Sequence, residues 1–102
     1  MTNKTSKYKY GDIVRVAAGV NDPDFMTNIE GWTGEIDEIE FLDNGSWIYR
    51  IVWDKDTLLM AGEDYITKCE EDNLDYENIY LEEDKLELLE SNTHKKPRVF
   101  IA

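Results

Sequence analysis

Four residues near the middle of the chain, Asp43-Asn44-Gly45-Ser46, limit the fold more than any other feature. An Asn-Gly pair between two β-rich runs is the strongest short-range hairpin signal, because both residues tolerate the left-handed backbone of a tight turn. After it, Trp47-Ile48-Tyr49-Arg50-Ile51-Val52-Trp53 alternates, with Trp47, Tyr49, Ile51 and Trp53 on one face, as a half-buried strand requires. Before it, Glu35-Ile36-Asp37-Glu38-Ile39-Glu40-Phe41 also alternates, but Ile36 has the opposite parity to Ile39 and Phe41. A bulge near Asp37-Glu38 returns all three to one face. The chain is therefore built on an antiparallel hairpin, and the other segments have to complete its sheet.

Ile13-Val14-Arg15-Val16-Ala17, opened by Gly11-Asp12, supplies a first strand. Ile79-Tyr80-Leu81 and Leu86-Glu87-Leu88-Leu89 supply the last two, joined by a tight acidic turn over Glu82-Glu83-Asp84-Lys85. Gly19 to Gly31 is a long irregular stretch, turned at Asn21-Asp22-Pro23-Asp24; loops of this length in small domains are disproportionately functional. Between the third and fourth strands, Gly62 to Asp72 places Tyr65, Ile66 and Cys69 on one stripe, a short amphipathic helix. Asp56 or Thr57 can cap a helix here, and Asn73 can stop it in a left-handed conformation. The expected fold class is mainly β: a small five-stranded barrel with one short α-helix inserted before the last two strands.

At 102 residues, with 41% hydrophobic and 12% aromatic side chains, the chain has the size and apolar content of one packed domain. Charge divides it. Residues 1–10 carry Lys4, Lys7 and Lys9 and no acid, residues 91–102 carry Lys95, Lys96 and Arg98 and no acid, and the span between holds all 23 acids against five basic residues, a net −18. Residues 1–10 thus read as a basic N-terminal tail, 11–90 as an acidic small β-barrel domain and 91–102 as a basic C-terminal tail. A surface this acidic repels nucleic-acid phosphates and anionic lipid headgroups, so neither nucleic acid nor membrane is an expected partner. A basic protein or peptide is. No segment approaches the roughly 20 apolar residues of a membrane helix, and the N-terminus has no apolar stretch behind its lysines, so the expected location is cytoplasmic. The single Cys69 excludes an internal disulfide and a cysteine-based zinc site.

The order of the motifs GDIVRV, a long loop, GWTGEIDEI, the Asn-Gly hairpin, YRIVWD and YLEEDKLELL resembles small five-stranded barrels of the Src-homology-three type. Similar patterns occur in the ferredoxin-thioredoxin reductase variable chain, the nitrile hydratase beta subunit and KOW-like modules. The resemblance covers roughly residues 11–90 and implies a bulged second strand and a one-turn 3₁₀ element before the last strand. It implies a fold rather than an activity, because this architecture hosts many unrelated functions. RNA-binding KOW-like modules carry basic loops, whereas the matching loops here hold Asp22, Asp24, Asp37 and Asp43. The helix after the third strand also exceeds a minimal barrel.

Catalysis is not expected. His94 is far in sequence from Cys69, no serine stands in a nucleophile elbow, and so small a barrel has little room for a two-carboxylate cleft. No cofactor is expected. Barrels of this type bind peptides between the first long loop and the hairpin joining strands two and three, with aromatic walls and flanking acids. By that resemblance the partner-binding residues are Asp22, Asp24, Phe25, Trp32, Asp43 and Trp47; Trp53 and Tyr49 are core, and Trp32 and Phe25 are open between wall and core. The expected function is a non-catalytic protein-interaction module, an adaptor or accessory subunit with an acidic binding face. The alternative is a cation- or small-ligand-binding module using the Asp22-Asp24 loop, whose spacing lacks the twelve-residue calcium-loop pattern.

Overall fold

The structure is a computed structural model in which residues 5–91 are described. The hairpin signal holds. Strand β2 (Thr33–Phe41) pairs with β3 (Trp47–Trp53), and the register slips between Ile36 and Glu38, the bulge that parity demanded. The turn between them is a three-residue loop: Leu42 N–H donates to Ser46 O at 2.8 Å, Gly45 N–H donates to Leu42 O at 2.9 Å, and Gly45 takes φ 88°. Alternation buries Tyr49, Ile51 and Trp53 of β3, while Ile36 is buried and Ile39 packs against the core.

Strand β1 (Ile13–Val16) pairs with the first part of β2 on one side and with β5 (Leu86–Glu90) on the other; β4 (Asn78–Glu82) pairs with β3. The five strands form one antiparallel sheet in the order β4-β3-β2-β1-β5. The class is mainly β, as expected, but the sheet does not close into a barrel. The last two strands are not a hairpin either: they follow each other in sequence yet lie at opposite edges. A 3₁₀ turn of three residues, Glu83–Lys85, joins them. At about 2 Å of rise per 3₁₀ residue, so short a link requires the sheet to curl until its edges approach. The β2 bulge supplies the bend, since a bulge kinks its strand and increases its twist.

One core side chain comes from the N-terminal side of Gly11, beside β3 and the 3₁₀ turn. Tyr8 is 1% exposed, its ring meets Tyr49 edge-on at 5.4 Å, and its hydroxyl donates to the Leu86 carbonyl at 2.9 Å. Tyr8 N–H donates to the Tyr49 hydroxyl at 3.3 Å, which donates to Glu83 Oε2 at 2.5 Å, and Lys7 N–H reaches the same oxygen at 2.9 Å. The segment read as a basic N-terminal tail therefore puts Tyr8 in the core. A single aromatic without neighbouring periodicity carries no strand or helix signature, so pattern could not find it. The basic C-terminal tail, from residue 92 onward, and His94 lie outside the described residues.

The helix is longer than its apolar stripe suggested: α1 spans Lys55–Glu71, two helical pieces joined at Gly62, which takes φ 84° and ψ 170°. That conformation is essentially restricted to glycine, and it turns the second piece so that Tyr65 and Cys69 face the sheet. Neither Asp56 nor Thr57 is the cap. Asp54 is, its carboxylate accepting from Thr57 N–H at 2.8 Å. At the other end Asn73 takes φ 59°, and Leu74 N–H to Cys69 O (2.7 Å) with Asn73 N–H to Glu70 O (3.2 Å) completes a Schellman motif.

Candidate functional site

The long first loop folds on itself around one carboxylate. Asn21 bridges Asn28, Asp22 N–H donates to Thr27 O at 2.7 Å, and Met26 N–H returns to Asp22 O at 2.8 Å. The Asp22 side chain, 1% exposed, accepts from Asp24 N–H at 2.5 Å and Phe25 N–H at 3.0 Å through Oδ1. It organises the loop from inside and presents nothing to a partner. Asp24 beside it is exposed. Among the described residues no group of three or more His, Cys, Asp or Glu side chains converges as a metal site.

The aromatic residues of this region are packing groups. Trp32 is buried between Trp53 (5.2 Å) and Tyr65 (5.1 Å), both edge-on, and Phe25 is half-buried with its ring edge-on to Tyr65 at 6.3 Å. Trp32, open between wall and core on sequence, is thus a core residue that docks α1 on the sheet. Burial, then the negative charge of Asp22, drives the Tyr65 hydroxyl far above its ordinary pKa. Burial likewise raises the Cys69 thiol, outweighing a hydrogen bond from Tyr65. Both groups stay protonated near neutral pH, so neither is a nucleophile there.

Asp43 and Trp47 lie elsewhere. Asp43 is exposed in the β2–β3 turn, and Trp47 is half-buried against Phe41 at a ring distance of 4.7 Å. Trp47 begins β3 and Trp53 ends it, so at about 3.3 Å per strand residue the Trp47 end lies roughly 20 Å along the strand from the Trp32–Trp53 contact. The six residues singled out on sequence thus divide into two groups: Asp22, Asp24, Phe25 and Trp32 around the loop and helix, Asp43 and Trp47 at the hairpin. Sequence neighbourhood could not show this, because the length of β3 separates the two clusters.

Comparison with family models, curated proteins and solved structures finds no match. What remains is this chain's own surface.

That surface is acidic with few internal neutralisations. Arg50 lies between β2 carboxylates, with Nε to Asp37 Oδ1 at 2.7 Å, Nη2 to Asp37 Oδ2 at 2.8 Å, and Glu38 at 3.7 Å; the Tyr80 hydroxyl donates to Glu38 at 3.0 Å. The Arg50 hydrogen bond holds the Asp37 carboxyl below the usual carboxylate range. Arg15 pairs with Glu87 at 3.0 Å. Most other acids have no ion-pair partner among the described residues. Among the depressions in the surface are one of about 370 Å³ lined by Ile13, Glu35, Asp37, Val52 and Asp54, one of about 240 Å³ against β4, lined by Pro23, Asp24, Leu74, Asp75, Ile79 and Tyr80, and one of about 230 Å³ beside Arg15 and Glu87. Leu74, Asp75 and Tyr80 were not among the residues chosen on sequence. The available signal was the strand Asn78-Ile79-Tyr80-Leu81-Glu82, which contains no lysine although it lies at an edge.

Proposed function

We propose that this chain is a non-catalytic protein-interaction module, an adaptor or accessory subunit whose acidic surface receives a basic protein or peptide. One observation carries the reading: residues 11–90 hold a net −18, and the ion pairs between described residues involve Asp37, Glu38 and Glu87. The resulting field attracts cationic partners and repels phosphate backbones. The relationship to Src-homology-three-type barrels is part of the proposal. It is supported by the strand order, the bulged β2 and the 3₁₀ turn before β5. A cytoplasmic location is proposed with it, supported by a lone buried thiol with no second cysteine in the chain.

The test is titration of the full chain with labelled lysine-rich and glutamate-rich peptides. The lysine-rich peptide binds, with affinity falling as salt rises, whereas duplex DNA and RNA show no retardation. Equal binding of both peptides, or a salt-sensitive shift of nucleic acid, refutes the electrostatic reading. The cation-binding alternative has the weaker support, because the Asp22 carboxylate already accepts two main-chain N–H groups. Calcium should leave the thermal melt unchanged.

A further inference from the structure

Strand β4 is at an edge of the sheet, and its register states which of its main-chain groups are open. Trp53 N–H donates to Glu77 O at 2.9 Å, and Ile51 pairs with Ile79 and Tyr49 with Leu81, so these residues exchange the ladder bonds with β3. Antiparallel ladders alternate, which directs the N–H and C=O of Asn78 and Tyr80 and the N–H of Glu82 away from the sheet, while the Glu82 carbonyl starts the 3₁₀ turn. No strand among the described residues pairs with that edge. Natural edges are commonly guarded by lysine, a bulge or a covering element; β4 has no lysine, and its pairing with β3 runs without a register slip.

Beside this edge lies the depression of about 240 Å³. It is smaller than the roughly 300 Å³ at which small-molecule sites begin and suits one side chain. Ile79, Leu74 and Tyr80 make it apolar, the last two being 37% and 40% exposed. Its charges are Asp24 and Asp75, and Glu77 and Glu82 are exposed along the same strand edge; no lysine or arginine lines it. Two copies of this edge would set carboxylates against carboxylates, so like charge opposes self-pairing. A basic strand meets the opposite field, and the long apolar stem of lysine or arginine matches an apolar hollow with a carboxylate rim.

We propose that the open edge of β4 docks an extended segment of a basic partner protein, which adds a strand to the sheet and places one lysine or arginine side chain in the hollow beside Asp24. The proposal rests on the reading of the chain as a module for basic partners and names where such a partner binds. Main-chain bonds to Tyr80 and Glu82 would supply the strand pairing, and Asp24 the preference for a cation.

The probe is a capped peptide alternating lysine with valine, added to the full chain while amide hydrogen exchange is followed residue by residue. In the free chain Ile79 and Leu81 are protected and Tyr80 and Glu82 exchange quickly. With the peptide, Tyr80 and Glu82 gain at least about tenfold protection. The same peptide with glutamate for lysine does not bind, and Asp24→Asn weakens the lysine peptide up to about fivefold, the range of one exposed ion pair. Glu82 has φ −72°, which proline can adopt. Glu82→Pro therefore removes one outward N–H and keeps the strand. It should bind about fivefold more weakly than Glu82→Gln, the worth of one net hydrogen bond. Binding of the lysine peptide without protection at Tyr80 and Glu82 overturns the β4 site and leaves the basic-partner reading standing. Failure of the lysine peptide to bind at low salt overturns both, and binding of the glutamate peptide overturns the assigned chemistry.

Discussion

Replacing Tyr8 tests whether the packed unit begins before Gly11. The side chain is 1% exposed, with its ring against Tyr49 and its hydroxyl on the Leu86 carbonyl. Tyr8→Phe keeps the ring and removes one buried hydrogen bond, leaving a carbonyl without that donor, a loss of about 1–2 kcal/mol. Tyr8→Ala removes the ring as well, and truncating a buried aromatic costs about 3–5 kcal/mol. Domains of this size are stable by roughly 5–15 kcal/mol. Each kcal/mol moves the melting temperature by about 4–8 °C in a chain of 60–100 residues. Tyr8→Phe should therefore melt about 5–15 °C lower, and Tyr8→Ala should lose 12 °C or more, roughly, or fail to fold. Leu59, 74% exposed on α1, is the control: Leu59→Ala should cost under about 1 kcal/mol. The assay is urea unfolding followed by tryptophan fluorescence, with the midpoint shifting at constant slope. An unchanged midpoint in Tyr8→Ala would refute the reasoning and return the boundary of the folded unit to Gly11.

Three further outcomes follow from the geometry. Asp54 caps α1 and takes hydrogen bonds from the Thr33 hydroxyl and Thr57 N–H; burial raises its pKa, but these bonds outweigh burial and hold the carboxyl below the usual range. Asp54→Ala should cost about 1–2 kcal/mol at pH 7. Because the folded pKa is depressed, that contribution is present above about pH 4 and fades as pH falls through the folded value, so wild-type and variant melts should converge in acid; a gap that does not narrow as the pH falls refutes the cap's charge. A Cβ on Gly34 would meet Ile51 Cγ2 at 2.6 Å and overlap the Val52 carbonyl, so Gly34→Ala should lose at least about 3 kcal/mol in the same urea assay, and a neutral substitution would show that β2 and β3 are not so closely apposed. The Cys69 thiol, 2% exposed and raised in pKa, should react with a thiol reagent at pH 8 only as fast as the chain opens, slowing in stabilised variants; stoichiometric reaction within seconds in the native state would place it at the surface.

Much of the fold was legible because it is encoded locally. The Asn44-Gly45 turn, the alternation of Trp47–Trp53, the parity break at Asp37 and the left-handed stop at Asn73 are set by backbone preference and by the two-residue period of a strand, which neighbours in sequence display directly. The net −18 of residues 11–90 likewise belongs to the sequence alone, and the proposed preference for cationic partners rests on it. Tertiary structure decided what depends on residues far apart. Whether the sheet closes, which strands become edges, that Asp54 rather than Asp56 or Thr57 caps α1, and that Tyr8 joins the core follow from packing that has no period to read. The same holds for the six candidate residues: an exposed and a buried aromatic look alike in sequence, and Trp32 became core only because α1 brings Tyr65 over it. Asp22 and Asp24, two positions apart, received opposite fates because one carboxylate turned inward to hold the loop and the other stayed in water.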